Sequence, residues 1–135
     1  MWQGRYRRWN PVPMLEGKIL WCEGVHDDWE GFRIWLRPDD IKLPMLIVRF
    51  EYYLMYVNSD EGDRISKVLE PDSFGFPHAF WKVEDSALLS EFHRQSVGVH
   101  EKIPITHFAF LSGSDCVDVL AMEEPSFSYE SSGHQ

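Results

Sequence analysis

Residues 105–121, ITHFAFLSGSDCVDVLA, carry the clearest structural signal in the chain. Two apolar runs flank Ser112-Gly113-Ser114-Asp115, and a short polar loop between such runs is typical of a β-hairpin. Aligning the runs around the loop predicts three cross-strand pairs: Leu111 with Cys116, Phe110 with Val117, and Phe108 with Val119. The last two pairs lie on one apolar face of the predicted hairpin.

Alternating residues predict further strands in the first half of the chain. We expect strands at 14–22, 29–37 and 45–57, with an acidic loop at 23–30 between the first two. The third strand is the longest, because apolar residues recur at every second position over its whole length. Its partner is predicted to be the second strand.

Charge gives a prediction for the register of that pair. Placing Ile34 opposite Val48 would bring Arg33 opposite Arg49, and like charges in that position repel. A shift of two residues places Ile34 opposite Phe50 instead. We therefore expect the shifted register.

Helical spacing follows in two places. One predicted helix begins near 59–63 and ends before Pro71, and the other begins at Asp85 or Ser86 and stops at Gly98. A strand at 79–84 lies between them. The expected fold is a single α+β domain, with an antiparallel or mixed sheet of about six strands and two helices packed on it. The domain is expected to span 14–125, after a basic, aromatic segment at 1–13 and before a polar tail at 126–135.

Composition limits the kind of partner. The 135 residues carry a net charge of −9, and without Arg5, Arg7 and Arg8 the remaining 10 basic and 22 acidic side chains give −12. Such a field repels phosphate backbones and anionic membranes, so nucleic acid and lipid are not expected as partners. A basic protein is the expected partner, and solubility alone is the other explanation of the charge.

No motif for a metal or cofactor is present. The six histidines and two cysteines lack the spacing of known ligand sets, and no glycine-rich phosphate loop occurs, so we expect neither metal nor cofactor. His107 and Asp118 fall on the same outer face of the predicted hairpin, diagonally related. They are the weak candidates for acid–base catalysis, and a simple ion pair explains them equally well.

The segment 23–31 is the candidate binding site. It combines carboxylates, a tryptophan and two glycines, and aromatic anchors ringed by charge are typical of protein interfaces. The alternative is an ordinary acidic turn with the tryptophan buried. The residues assigned to partner binding are Glu23, Asp27, Asp28, Trp29 and Glu30.

Absent signals point to the cytoplasm. The first residues lack the apolar core of a secretory signal, and no apolar run approaches the length of a membrane-spanning helix. Cys22 and Cys116 are too few for a disulfide framework, and we expect free thiols in a reducing compartment.

The chain resembles small bacterial proteins in three features: the pattern Trp29-x-Gly31-x-Arg33-x-Trp35, the helix after Asp85-Ser86 and the final hairpin. Some of those proteins are similar to immunity proteins of toxin–antitoxin-like systems. The resemblance covers about 16–125 and assigns no residue a role. It implies a cytoplasmic, non-enzymatic, acidic protein that binds and neutralises a basic toxin domain. Two alternatives stay open: a small hydrolase or transferase using the His/Asp pair, and a homo-oligomeric structural protein.

Overall fold

The computed structural model describes residues 2–59, 78–100, 102–113 and 115–130. These residues form nine strands, one α-helix and a short 3-10 turn at Pro13–Leu15. The helix, α1, spans Ala87–Gln95. The strands are β1 (Arg5–Arg8), β2 (Leu20–Asp28), β3 (Gly31–Pro38), β4 (Leu46–Phe50), β5 (Met55–Ser59), β6 (Phe80–Glu84), β7 (Thr106–Leu111), β8 (Cys116–Ala121) and β9 (Ser126–Tyr129).

The strands build two antiparallel sheets. The larger has the order β1-β6-β7-β8-β5 and the smaller the order β2-β3-β4-β9. Their facing sides bury one apolar core, in which the Phe50 ring lies 5.5 Å from that of Phe108 and 6.0 Å from that of Phe110. Two sheets packed through interdigitating aromatic rings form a β-sandwich.

The expected fold class is wrong. Among the described residues 48% are in strands and 11% are helical, in two sheets of five and four strands with a single α-helix. The predicted helix at α1 is confirmed, since the Ser86 Oγ accepts the Leu89 N–H at 3.0 Å and caps it. The other predicted helix lies outside the described residues.

One error explains most of the difference. The predicted long strand at 45–57 is two strands, β4 in the smaller sheet and β5 in the larger, joined by Glu51–Leu54. Phe50 and Tyr56 both face the core, one from each sheet. Because a strand keeps its two-residue period when it changes sheets, the alternation alone does not reveal the crossing.

The hairpin of β7 and β8 has the predicted register, with Leu111 paired with Cys116. The register predicted for β3 and β4 is wrong. Ile34 pairs with Val48, and Arg33 stands opposite Arg49.

Arg33 and Arg49 each have other partners, which offset the repulsion between the two guanidinium groups. Arg33 is held by Asp28 at 2.7 Å and by Glu30 at 3.1 Å, while Arg49 donates to the Glu30 carbonyl oxygen. Each guanidinium therefore has its own acceptors. A pairwise rule for opposite residues fails where neighbouring residues, here Asp28 and Glu30, supply other acceptors.

Strands also form outside the range 14–125 that was expected for the domain. β1 pairs with β6, and β9 pairs with β4. The Trp9 ring packs among the aromatic rings of the core, 5.1 Å from Phe108 and 5.8 Å from Phe127. Of the predicted polar tail at 126–135, residues 131–135 lie outside the described part of the chain.

One end of the sandwich is closed by side chains; we call it the closed end. The Trp21 ring lies against Gly113, whose N–H donates to the Leu20 carbonyl at 2.8 Å, and the Trp21 Nε1 donates to Asp39 at 3.0 Å. His78 lies at the same end. These contacts join the β7–β8 loop of one sheet to β2 of the other.

Candidate functional site

The opposite end of the sandwich is open. Three connections meet there: the β2–β3 turn, the β4–β5 crossing and the β8–β9 connection. Between them lies a groove of about 460 Å³, which we call the end groove. The described residues that line it are Trp29, Glu30, Gly31, Arg49, Glu51, Tyr52, Tyr53, Leu54, Met122, Glu123, Glu124 and Ser126.

Large apolar side chains stand in solvent at the end groove. Trp29 is 90% exposed, Tyr52 74% and Met122 48%. Each belongs to a different connection, so the exposed surface is assembled by the fold and not by one stretch of sequence. Exposed aromatic and methionine side chains gathered around a concavity are typical of protein interfaces.

The lining is also strongly acidic. Its described residues hold four carboxylates, from Glu30, Glu51, Glu123 and Glu124, against the single guanidinium of Arg49. Glu30 is paired with an arginine of β3, and Glu124 with Lys82 at 2.6 Å.

The other two carboxylates of the lining have no cation. Within the described residues, Glu51 and Glu123 make neither an ion pair nor a hydrogen bond. They come from the β4–β5 crossing and the β8–β9 connection. The end groove therefore presents negative charge that the described chain does not neutralise.

The residues predicted to bind a partner are divided by the structure. Trp29 and Glu30 line the end groove. The predicted acidic loop is instead mostly strand, because β2 continues to Asp28 and only a two-residue turn separates it from β3. Asp28 holds Arg33, and Glu23 pairs with Arg37, so neither lines the groove.

Asp27 does not line the groove but holds Tyr53, which does. Its carboxylate accepts a hydrogen bond from the Tyr53 hydroxyl. This bond is the main cause that raises the pKa of Tyr53 to about 12. Tyr53 thereby joins the β4–β5 crossing to β2 and fixes one wall of the groove.

Sequence reasoning misses most of this site. The predicted strand at 45–57 absorbs Glu51 and Tyr52, and no role is predicted for Met122 and Glu123. The available signal is Tyr53, which places a bulky residue between Tyr52 and Leu54, although the apolar residues at every second position continue without a break. Met122 and Glu123 give no local signal, because only the fold brings them to the groove.

The weak catalytic candidates do meet, and a serine joins them. The His107 Nε2 lies 2.7 Å from an oxygen of Asp118, and its Nδ1 lies 2.7 Å from the Ser86 Oγ. Since Oγ already accepts the Leu89 N–H, its proton is free to go to Nδ1, and Nε2–H donates to the carboxylate. The three groups form one hydrogen-bonded chain from helix α1 to β8.

The hydrogen-bonded group of Ser86, His107 and Asp118 differs from a hydrolytic triad in two respects. The serine faces Nδ1 and the carboxylate faces Nε2, the reverse of the hydrolase arrangement. Ser86, His107 and Asp118 are at most 4% exposed, and none lines the end groove. The arrangement fits a buried link between the helix and the larger sheet, with the hydroxyl closed to substrate.

The cysteines and the metal-ligating side chains give no further candidate site among the described residues. Neither Cys22 nor Cys116 is in a disulfide. Burial is the main cause that raises the pKa of Cys22 to about 11, which keeps its thiol protonated at neutral pH. No cluster of three or more metal-ligating side chains occurs in residues 2–59, 78–100, 102–113 and 115–130. Nor do these ranges contain a helix with the length and apolarity needed to cross a membrane.

Comparison of the chain with protein-family models, with curated proteins and with solved structures finds no match.

Proposed function

We propose that this chain is a non-enzymatic binding protein whose end groove receives a basic segment of a partner protein. One observation carries the proposal: exposed apolar anchors, Trp29 and Tyr52, stand beside carboxylates that the described chain leaves without a cation. Apolar anchors supply affinity when they are covered, and unpaired charges select the sign of the partner.

The charge of the whole chain supports the same partner. A net charge of −9 attracts a basic protein over distances of about 10 Å at about 0.1 M salt. Steering of this kind raises the association rate, while the anchors slow dissociation.

The partner class follows from the resemblance to immunity proteins, which makes a basic toxin domain the proposed target. An immunity protein acts by covering a toxin, so it needs a surface and no catalytic group. The proposal also places the protein in the cytoplasm, where cysteines that form no disulfide, such as Cys22 and Cys116, stay reduced.

The enzymatic alternative has less support. Its best candidates, His107 and Asp118, are buried together with Ser86 and point away from solvent. A hydrolase would need the hydroxyl to reach a substrate carbonyl.

Selection of peptides from a random display library tests the proposal, because it requires no identified partner. We expect the native chain to enrich peptides rich in Lys and Arg. The double variant Glu51→Lys/Glu123→Lys should lower their association rate about tenfold at low salt, because it reverses the charge of the groove.

A matched control separates the groove from the overall field. Glu16→Lys/Asp40→Lys changes the net charge by the same amount at exposed sites outside the groove lining. Equal effects of the two pairs would show that only global charge acts. Enrichment of neutral or acidic peptides, or of none, would contradict the proposed function.

A further inference from the structure

The end groove combines unpaired carboxylates with exposed aromatic rings, and this combination favours arginine over lysine. We propose that it takes one arginine of the partner, with the guanidinium against the exposed rings of Trp29 and Tyr52 and paired with the carboxylates of Glu51 and Glu123. This inference rests on the proposed function and adds the identity of the anchoring side chain.

The two unpaired carboxylates favour a forked donor. Glu51 and Glu123 lie on different connections, at the β4–β5 crossing and between β8 and β9. A guanidinium presents several N–H groups in one plane and can donate to two carboxylates at once. An ammonium is a compact point charge that lacks this planar fork.

The aromatic rings favour the same group. Trp29 and Tyr52 are 90% and 74% exposed, and neither side chain makes a ring contact or hydrogen bond with the described residues, so their faces are available. A guanidinium is weakly hydrated and stacks on aromatic faces. In an open groove an ammonium keeps much of its hydration shell and gains less from the rings.

Arg49, the one cation among the described residues of the lining, does not occupy this position. The Arg49 guanidinium donates to the Glu30 carbonyl oxygen and lies against Gly31, 3.3 Å from where a Cβ would be. It is therefore part of the groove wall, with its own acceptor. The groove of about 460 Å³ leaves room for a long side chain and the peptide on either side of it.

Capped tripeptides test the inference on the full chain. The probes are acetyl-Gly-Arg-Gly-amide, its lysine analogue and its citrulline analogue, which keeps the shape of arginine without the charge. NMR titration follows the amide signals of Gly31 and Leu54 and the indole signal of Trp29. We expect saturable arginine binding with a Kd of about 1 mM, about threefold tighter than lysine and about tenfold tighter than citrulline.

Two variants isolate the contributing groups. Glu51→Gln/Glu123→Gln should weaken arginine binding about fivefold, and Glu16→Gln/Asp40→Asn, which removes the same charge elsewhere, should leave it unchanged. Tyr52→Leu should bring the affinities of arginine and lysine close together, because it keeps an apolar surface and removes the aromatic face. All these side chains lie on the surface, and the amide spectrum verifies that each variant is folded.

Several results would overturn the inference. They are equal affinity for arginine and lysine in the native chain, citrulline binding as tightly as arginine, or shifts that map away from the end groove. Any of these combined with groove binding of display-selected basic peptides would leave the proposed function standing and remove only the arginine assignment. Failure of the selection itself would remove the function.

Discussion

The two ends of the sandwich present their large side chains in opposite ways. At the closed end Trp21 is half-buried, packs on Gly113 and donates to Asp39. At the end groove Trp29 is almost fully exposed, and its side chain has no partner among the described residues. Both tryptophans lie on or next to β2, in the same sheet.

We expect the closed end to stabilise the fold and the end groove to bind the partner. Contacts at the closed end connect the two sheets, so their loss is expected to destabilise the fold. At the end groove the exposed side chains of Trp29 and Tyr52 make no such connection with the described residues. An exposed apolar surface of this kind is typical of a site that a partner covers.

The largest expected effect is at the closed end. In Gly113→Ala the new Cβ would overlap the Trp21 ring, so the ring must move. We expect a loss of about 2 kcal/mol in the free energy of unfolding, measured by urea denaturation.

A double variant identifies the cause. In a Trp21→Ala background, Gly113→Ala should cost less than about 0.5 kcal/mol, since the clashing ring is gone. The same cost in both backgrounds would show that backbone conformation, and not the ring, limits this position.

The second prediction concerns pH at the closed end. His78 is 1% exposed; its Nε2–H donates to the Trp9 carbonyl at 2.7 Å and its Nδ1 accepts the Gly17 N–H at 3.2 Å. Burial is the main cause that lowers the pKa of His78 below 6.5 in the folded protein. Protonation would also abolish the acceptor at Nδ1.

The sign of the pH effect follows from linkage. The unfolded chain binds this proton more readily, so the contribution of His78 to stability is complete above about pH 6.5 and is lost as the pH falls toward the folded-state pKa. We expect His78→Gln to reduce the pH dependence of the unfolding free energy between about pH 5 and 7, by at most about 1.4 kcal/mol per pH unit. The same pH dependence of the unfolding free energy in the native protein and in His78→Gln would contradict a neutral His78 held by two hydrogen bonds.

The smallest effect on stability is expected at the end groove. Trp29→Ala and Tyr52→Ala should each change the free energy of unfolding by less than about 0.5 kcal/mol, because these side chains bury little surface. Thermal unfolding followed by circular dichroism provides the measurement. A drop of several degrees in either variant would mean that the ring supports the fold.

Local signals in the sequence predict local structure well. The β7–β8 hairpin, its register and the serine cap of α1 follow from adjacent residues and from turn chemistry. The proximity of His107 and Asp118 follows from the hairpin register, since residues on one face of a strand pair lie close together. Ser86 could not be foreseen as their neighbour, because it reaches them from another element.

Non-local features are not predictable in this way. The switch of sheets at Glu51–Leu54 leaves the alternation intact, and the Arg33–Arg49 pairing depends on acceptors from the β2–β3 turn. The end groove combines three connections from distant parts of the chain. Only its first part, Trp29 and Glu30, lies in the segment that composition indicates.

The most direct test of the central claim compares two equally exposed side chains. Trp29 at the end groove and Ile41 in the connection between β3 and β4 are each 90% exposed. For a display-selected basic peptide, we expect Trp29→Ala to weaken binding about tenfold or more and Ile41→Ala to change it less than about twofold, as measured by isothermal titration calorimetry. Equal losses, or a loss only for Ile41→Ala, would contradict the assignment of the end groove as the binding site.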